Sequence, residues 1–359
     1  MTRLNEQLTF TSGQTLNNRF MLAPLTNLQS EDNGVLGEDE YGWLTRRAEG
    51  GFGLTMTCAT SVQFEGVGFP GQLGAYAPRH DDGLARLAAG LKAHSTHAVV
   101  QLHHGGMRAI ADYIGRAPMC PSDDAETGSV AMTAAEIDRT IEDFISAAQR
   151  CQRAGFDGVQ IHGAHGYLVG QFLSPKYNQR DDAYGGSQQN RERLLFEIIE
   201  GINQACGRNF SLGVRLSPER FGIDTAESID LASRLLSDER LDYVDMSLWA
   251  VNKPCPHPDY SDQSMLDVFS NLPRNGVKLI ASGNLRTAAD CQAAIDAGLD
   301  MVAIGRAAIL HHDFPRQVVA DGGFVPVPLP VSPQHLRQEA VGDAFLNYLS
   351  TQWNDFVAA

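Results

Sequence analysis

Short apolar runs alternate with amphipathic segments from the start of the chain to about residue 310. The runs are rich in aliphatic and β-branched residues and do not alternate strictly with polar ones, which is typical of parallel strands buried on both faces. Eight runs are predicted to be strands: Phe20–Leu25, Phe52–Cys58, Ala98–Leu102, Gly158–Ile161, Leu212–Leu216, Tyr243–Ser247, Val277–Ala281 and Met301–Ile304.

The segments between these runs carry their apolar residues on one helical stripe. Ile137, Ile141 and Phe144 are spaced four and three residues apart, and the run from Leu194 to Ile202 repeats that spacing. Alternating strands and helices favour an α/β fold, and no G-x-G-x-x-G fingerprint of a dinucleotide fold follows the first strand. We therefore expect a (β/α)8 TIM barrel.

Two helix starts carry capping signals. Thr133 is followed three residues later by Glu136, the spacing of a capping box. Thr225 and Ser228, after Asp224, have the same spacing and predict the start of another helix.

Three segments lie outside the repeat. "LTFTSGQTLNNRF" begins at Leu8 and alternates about a Ser-Gly turn, which predicts an N-terminal β-hairpin closing the bottom of the barrel. The stretch from Gly105 to Met132 is too long for a simple loop, so we expect an active-site excursion. A proline-rich passage leads to a last helix predicted near Ser332 to Leu349. The whole chain, 1–359, is thus interpreted as one TIM-barrel domain with a C-terminal helical extension.

Charge and cysteine usage narrow the possible partners. A formal net charge of -15 repels phosphate backbones and anionic lipids, so we expect no nucleic-acid and no membrane partner. The six cysteines form no C-x-x-C pair, which argues against zinc or iron–sulfur ligation. The N-terminus lacks an apolar stretch, and no run approaches the roughly 20 apolar residues that cross a bilayer. We expect a cytoplasmic protein, and the proline-rich tail with its final helix is a candidate surface for forming a homo-oligomer.

Polar groups at the C-terminal ends of the strands form the candidate site, because TIM-barrel chemistry is found there. They are Pro24-Leu25-Thr26, Cys58-Ala59, Gln101, His162 with His165 and Tyr167, Arg215, Ser282-Gly283-Asn284 and Gly305-Arg306.

The ends of the last two strands indicate a phosphorylated ligand. Gly283 and Gly305 let the main chain approach closely, a short helix is expected after each, and Arg306 adds a guanidinium. The alternative is that the glycines only make tight turns and Arg306 forms a surface ion pair. Gln101 and Thr26 are candidates to form hydrogen bonds with the edge of a flat heteroaromatic ring beside Arg215, and such a ring suggests flavin. Alternatively, each is a polar residue whose hydrogen bonds are satisfied within the protein.

Five segments together resemble the old yellow enzyme family of FMN-dependent ene reductases. They are "APLTN" (23–27), "VVQLHHGG" (99–106), "HGAHGYLVGQFLSPKYNQRDDAYGGSQQNRERL" (162–194), "VRLS" (214–217) and "AIGRA" (303–307). The resemblance spans about residues 20 to 310. It implies one non-covalent FMN at the top of a TIM barrel, with NADH or NADPH as the electron donor.

The resemblance also implies residue roles. His162 and His165 would bind the carbonyl or nitro oxygen of a small electrophilic alkene or nitro substrate. Tyr167 would donate the proton after hydride transfer from flavin N5 to the β-carbon. The residues implied for the cofactor are Ala23, Pro24 and Leu25, Thr26 near flavin O4, Ala59 and Gln101 at the pyrimidine edge, Arg215 by N1 and O2, and Ser282, Gly283, Asn284, Gly305 and Arg306 around the phosphate.

Other interpretations of these residues stay open at this point. His162 and His165 could bind a metal, although no H-E-x-x-H helix accompanies them, or could be buried structural histidines. The barrel could be a metal- or acid–base-dependent lyase or isomerase acting on a phosphorylated metabolite, or bind flavin without turnover. The charged segment after Asn178 is expected to be a scaffold in which Arg180, Asp182 and Arg191 pair.

Overall fold

The residues described by the computed structural model, 3–358, contain twelve β-strands. They are β1 (Leu8–Thr9), β2 (Thr15–Leu16), β3 (Phe20–Leu22), β4 (Leu54–Ser61), β5 (His97–His103), β6 (Met119–Cys120), β7 (Val130–Ala131), β8 (Gly158–Gly163), β9 (Ser211–Leu216), β10 (Tyr243–Ser247), β11 (Lys278–Ser282) and β12 (Met301–Ile304). Eight of them close into a parallel barrel in the order β10-β11-β12-β3-β4-β5-β8-β9. The predicted TIM barrel and its eight strands are confirmed.

Some strand ends differ from the prediction by a few residues. The first barrel strand ends at Leu22 instead of Leu25, because Pro24 has no N–H to donate to the ladder. The second runs on to Ser61, three residues past the predicted Cys58, with a register irregularity between Met56 and Ala59.

Helices cover the outside of the barrel. They are α1 (Glu38–Glu49), α2 (Asp81–Lys92), α3 (Ala111–Ile114), α4 (Ala134–Ala154), α5 (Leu168–Leu173), α6 (Gln188–Cys206), α7 (Thr225–Leu235), α8 (Met265–Ser270), α9 (Ala288–Asp296), α10 (Arg306–Leu310), α11 (Phe314–Ala320), α12 (Pro333–Gln338) and α13 (Asp343–Gln352). The apolar stripes of α4 and α6 are buried. No helix within residues 3–358 is both long and apolar enough to span a membrane.

Both predicted helix starts are confirmed, the first together with its capping box. Thr133 and Glu136 form a reciprocal capping box at the start of α4. The other predicted helix start is also confirmed, because α7 begins at Thr225; its N-cap is Asp224, whose carboxylate accepts from the Glu227 N–H at 3.1 Å. Thr225 is already helical, so its hydroxyl does not cap.

The N-terminal hairpin closes the bottom of the barrel, as predicted. Leu8 pairs with Leu16 across β1 and β2. Beyond the hairpin strand, Phe10 stacks on Tyr243 of β10 with ring centroids 5.5 Å apart. Tyr243 fits inside the barrel because residue 213 is glycine: a Cβ there would lie 2.2 Å from the tyrosine ring.

The C-terminal extension is two helices, α12 and α13, where one was predicted. The break follows Glu339, whose carbonyl accepts a hydrogen bond from Arg47 at 2.5 Å. Arg47 is fully buried in α1 and also donates to the Ala308 carbonyl of α10 at 3.1 Å. This buried cation draws one carbonyl out of the helical pattern and fastens the extension to the barrel.

The charged segment after Asn178 is a scaffold with partly different partners from those predicted. Arg180 pairs with Asp182 at 2.5 Å and donates to the carbonyls of Pro121 and Met132, which ties the 105–132 excursion down. Arg191 does not join them; it pairs with Glu227 of α7 instead.

The barrel-bottom contacts generate a stability prediction. Phe10 is 3% exposed, so Phe10→Ala should lower the free energy of unfolding by about 3–5 kcal/mol through lost burial and a cavity. Thr9→Ala, at an exposed neighbour, should cost less than about 1 kcal/mol. Denaturant unfolding curves of the two variants and the wild type measure both effects. Equal losses at the two positions would contradict a plugging role for Phe10.

Candidate active site

A cleft opens at the C-terminal ends of the barrel strands and contains ten of the fifteen residues predicted for the site. Those ten are Ala23, Pro24, Leu25, His165, Arg215, Ser282, Gly283, Asn284, Gly305 and Arg306. The fold therefore brings residues from β3, β9, β11 and β12 to one opening.

The other five predicted residues stand next to this lining. The His162 ring contacts that of His165, and the Tyr167 ring contacts that of His162. Ala59 and Gln101 are register partners on β4 and β5. Thr26 follows Leu25 with a half-buried side chain.

A chain of polar contacts crosses the barrel beneath the cleft. The Arg215 guanidinium donates from Nη2 to Ser282 Oγ at 3.0 Å, and its Nε lies 3.4 Å from Asp245 Oδ2. Asp245 accepts from Gln160 Nε2 at 3.2 Å, and Gln160 Oε1 accepts from Gln101 Nε2 at 2.7 Å. Five strands, β5, β8, β9, β10 and β11, are thus connected side chain to side chain.

Arg215 keeps donors that no described residue uses. The residue is 5% exposed, yet Nη1 has no hydrogen-bond partner within residues 3–358. Burial raises the pKa of Asp245, and the adjacent Arg215 cation opposes that shift. A buried donor of this kind requires an acceptor, so the site is built for an electronegative group beside Arg215.

His162 and His165 lie together at the end of β8. Their ring centroids are 5.1 Å apart. The His165 backbone is left-handed, with φ +61°, and is held there because its N–H donates to Ser217 Oγ at 2.9 Å. His165 Nε2 lies 2.8 Å from Ser247 Oγ, whereas His162 Nδ1 has no partner in the described part of the chain.

Both imidazoles are neutral at ordinary pH. Burial lowers the pKa of His165 to about 3, with Arg215 and Arg108 adding to the effect. Burial also lowers the pKa of His162 well below its usual range. Neutral imidazoles donate one N–H each, which suits a neutral oxygen acceptor.

Tyr167 stands at the N-cap of α5, beside the histidines. Its ring centroid lies 5.2 Å from that of His162 and 4.4 Å from that of His103. Burial raises the pKa of the phenol, against a lowering effect of Arg108. The hydroxyl therefore carries its proton at neutral pH and is available to donate it.

The opposite end of the cleft is cationic. Arg286 and Arg306 line it, and neither forms an ion pair within residues 3–358. Burial lowers the pKa of the Arg306 guanidinium, and the nearby Arg286 cation lowers it further. Arg306 lies 5.2 Å from the ring centroid of Trp353, which extends from the end of α13. Unpaired guanidinium groups at this end favour an anionic ligand group.

Several residues of the cleft were not found from the sequence. Ser247 ends a correctly predicted strand, and applying the strand-end rule to every strand would have found it. Trp249 follows two residues later on the same loop. Asp245 alternates with Ser247 along β10 and was also missed. No sequence pattern marked Trp353 as a site residue, because it reaches the cleft only when the C-terminal extension has folded against the barrel.

No three His, Cys, Asp or Glu side chains in the described residues are grouped so that they could hold a metal ion. The chemistry that the cleft offers is instead hydrogen-bond donation by neutral imidazoles, proton donation by a phenol and anion binding by arginines.

Comparison with known proteins points to one family. The family model described as NADH:flavin oxidoreductase / NADH oxidase matches residues 4–321. A Bacillus subtilis (strain 168) protein named "Probable NADH-dependent flavin oxidoreductase YqiG" is 36% identical over 314 residues, 84% of either chain. An NADPH dehydrogenase of Bacillus pumilus is 37% identical over 244 residues, 67% of this chain and 71% of the relative.

A solved structure agrees with these relatives. The old yellow enzyme homologue from Zymomonas mobilis superposes with a TM-score of 0.81 at 26% identity, covering 97% of this chain and 99% of that chain. The resemblance read from the sequence motifs is confirmed.

The cleft fits FMN, the cofactor that this likeness implies. FMN is a flat, electron-accepting ring system joined to a phosphate. The buried Arg215 donor suits the ring's electronegative edge, and the unpaired Arg286 and Arg306 suit the phosphate. At Gly305 an added Cβ would meet only the Leu25 side chain, at 3.6 Å, so the main chain is open to a ligand there.

Arg306 provides the test of this fit. Arg306→Met should raise the dissociation constant for FMN about ten- to a hundredfold, because a hydrogen bond to a charged group is worth roughly 1.5–3 kcal/mol. Fluorescence titration of FMN into flavin-free protein measures the constant. Arg46→Met, which removes an exposed arginine paired with Glu49 on α1, is the matched control. An unaltered constant in Arg306→Met would refute the phosphate assignment.

Proposed function

The chain belongs to the NADH:flavin oxidoreductase / NADH oxidase family, and we propose that its reaction is the reduction of an electron-poor carbon–carbon double bond. The alkene is conjugated to a carbonyl or nitro group. It gains a hydride at the β-carbon and a proton at the α-carbon, and the two electrons come from NADH or NADPH, which is oxidised to NAD+ or NADP+. Family membership favours this chemistry over the lyase or isomerase alternative.

The observation that carries the proposal is the grouping of two neutral imidazoles with a protonated phenol. The His162 and His165 rings are 5.1 Å apart, and Tyr167 lies 5.2 Å from His162. Hydride addition to an enone builds negative charge on the carbonyl oxygen while the α-carbon requires a proton. Paired N–H donors can stabilise the negative charge on the oxygen, and a phenol can supply the proton to the α-carbon.

We propose that FMN is held by the residues of the cleft. Bound FMN would supply the redox chemistry, which is hydride transfer from the nicotinamide nucleotide to the acceptor by way of the flavin ring. Arg215 would hold the electronegative edge of the ring, with Thr26, Ala59 and Gln101 nearby. The phosphate would be held by Gly283, Asn284, Gly305 and Arg306, with Ala23, Pro24, Leu25 and Ser282 completing the walls.

His162 and His165 would hold the acceptor's oxygen. His165 Nε2 lies 2.8 Å from Ser247 Oγ, and in the tautomer in which this hydroxyl donates to Nε2 the ring proton sits on Nδ1. A donor aimed at a developing oxyanion is typically worth about 2.7–4 kcal/mol of barrier reduction. The pair would therefore both orient the substrate and stabilise the transition state.

Tyr167 would deliver the proton to the α-carbon. A phenol with a pKa near its ordinary value of about 10 is neutral at pH 7, and burial here raises the pKa further. Such a group gives up its proton only to a carbon that has become basic, which occurs after hydride addition. Proton and hydride are thus added in order.

We further propose that the whole chain acts as one FMN-binding unit. The contact of Trp353 with Arg306 supports this, because the C-terminal extension then forms part of the cleft.

Substitution of Tyr167 tests the proposed function. In Tyr167→Phe, reduction of the holoenzyme by NAD(P)H should continue, whereas its reoxidation by 2-cyclohexenone should slow about a hundredfold, a typical contribution of a positioned proton donor. Anaerobic stopped-flow absorption measures each half-reaction. Tyr177→Phe, outside the cleft lining, is the control. Equal slowing of both half-reactions would contradict the role of Tyr167, and wild-type holoenzyme that 2-cyclohexenone never reoxidises would favour a non-catalytic flavin barrel.

The histidine pKa values predict a flat pH profile for ligand binding. His165 has a pKa of about 3 and His162 is also lowered, so both rings stay neutral from about pH 5 to pH 9. Free histidine, with a pKa of about 6.5, would change charge in that range. The dissociation constant of cyclohexanone, followed by visible absorption of the oxidised holoenzyme, should vary less than about twofold. A transition centred near pH 6.5 would show that an imidazole titrates in the site.

A further inference from the structure

A group of arginine and aromatic side chains stands beside Tyr167 and has no part in the steps above. We call Arg108, Arg220, Phe221 and Trp249 the arginine–aromatic wall. The Arg108 guanidinium carbon lies 5.6 Å from the Tyr167 ring centroid and 5.2 Å from that of Phe221. Arg220 lies 4.3 Å from the Trp249 ring centroid. Each guanidinium lies over an aromatic ring, the arrangement of a cation–π contact.

The wall borders the position proposed for the substrate. Phe221 and Trp249 lie 6.3 Å and 6.2 Å from the His165 ring, and Trp249 lines the cleft. A molecule whose oxygen is bound by the histidines would therefore extend between Tyr167 and these side chains.

The backbone of the wall is strained. Arg220, Phe221 and Trp249 all have left-handed φ angles, +64°, +49° and +61°, which are uncommon for residues other than glycine, asparagine and aspartate. Gly166 accommodates Phe221, since a Cβ at position 166 would lie 2.9 Å from its ring. Strain of this kind persists where the surrounding structure enforces it and often marks a functional site.

Arg108 is the cation of the wall that has no counter-charge. It is exposed, and it forms no ion pair within residues 3–358. Arg220 lies 3.6 Å from Glu219, a carboxylate that also binds Lys253. After burial, Arg215 and Arg108 are the main contributions that lower the pKa of His165. The substrate side of the cleft therefore carries an uncompensated positive charge.

We propose that the natural acceptor carries a carboxylate on its alkene, bound by Arg108, in addition to the carbonyl group bound by His162 and His165. This inference rests on the proposed function and names the substrate class for that site. Neutral imidazoles suit an uncharged carbonyl oxygen, whereas a guanidinium matches the two oxygens of a carboxylate. The carboxylate itself is unchanged in the reaction: the double bond alone takes up the hydride and the proton.

A second anion, the phosphates of the nicotinamide nucleotide, must be distinguished from the substrate carboxylate. In the nucleotide, a ribose separates the phosphates from the reacting nicotinamide ring. The Arg108 guanidinium contacts the ring of Tyr167, the proposed proton donor. An anion bound by Arg108 would therefore lie close to the reacting carbons. A carboxylate attached directly to the alkene meets that condition.

Monomethyl fumarate and dimethyl fumarate form a matched pair of probes. Both are electron-poor alkenes with an ester carbonyl, and only the first carries a charge at neutral pH. Reduced holoenzyme is mixed anaerobically with each, and the ratio of second-order reoxidation rates, monoester over diester, is compared among variants. Arg108→Met should lower this ratio about ten- to a hundredfold, and Arg108→Lys should restore part of it.

Arg86→Met is the control, because it removes the same unit of charge from an exposed pair with Glu38 on the outer helices; its ratio should equal that of the wild type. The diester rate and the bound FMN report that each variant is folded. An unchanged ratio in Arg108→Met overturns the inference, as does an effect confined to reduction by NAD(P)H, which would assign Arg108 to the nucleotide. Wild-type holoenzyme that neither ester reoxidises would instead overturn the proposed function.

Discussion

The buried guanidinium of Arg215 is the constraint around which the site is organised. A charge that is 5% exposed requires partners, and the barrel supplies Asp245 on one neighbouring strand and Ser282 on β11. The hydrogen bonds continue to two further strands, because Asp245 accepts from Gln160 on β8 and Gln160 accepts from Gln101 on β5. A slip of any of these parallel strands by one residue would turn its polar side chain to the other face and leave the others unsatisfied. The Arg215 cation therefore depends on the correct strand register for its partners, and its unused Nη1 donor is available to a ligand in the cleft.

The electrostatics of the cleft are opposite to those of the protein as a whole. The chain carries a net charge of -15, yet Arg215, Arg286 and Arg306 line the cleft, and Arg108 stands beside Tyr167. Between them the histidines are kept neutral by burial. Cations at both ends and uncharged donors in the middle form a surface suited to one anionic group at each end and a neutral reacting centre between them. Surface acidity elsewhere disfavours anions from settling outside the cleft.

Local signals in the sequence predicted the barrel, and long-range contacts account for what they did not predict. The limits of β10 and β12 agree with the expected ones, since buried strands are marked by their own composition. The break between α12 and α13 depends on Arg47, about 290 residues earlier, and no window of sequence contains both. Arg191 pairs with Glu227 rather than with its neighbours in the segment for the same reason. For the site, motif resemblance located most of the cleft lining. It did not locate Trp353 or the arginine–aromatic wall, because their residues come from separate segments that meet only in the folded chain.

The contact between Trp353 and Arg306 has a consequence for biosynthesis. Barrel strands that line the cleft are complete once β12 has been made, but Trp353, which forms one side of the cleft, lies at the end of α13, 47 residues after its partner Arg306. During translation, the nascent barrel therefore presents a cleft with one side missing until that helix has emerged from the ribosome and docked. The contacts that dock this tail, from Arg47 to the Glu339 carbonyl and from Arg306 to the Trp353 ring, lie within the chain itself, so the last side of the cleft closes without waiting for the cofactor.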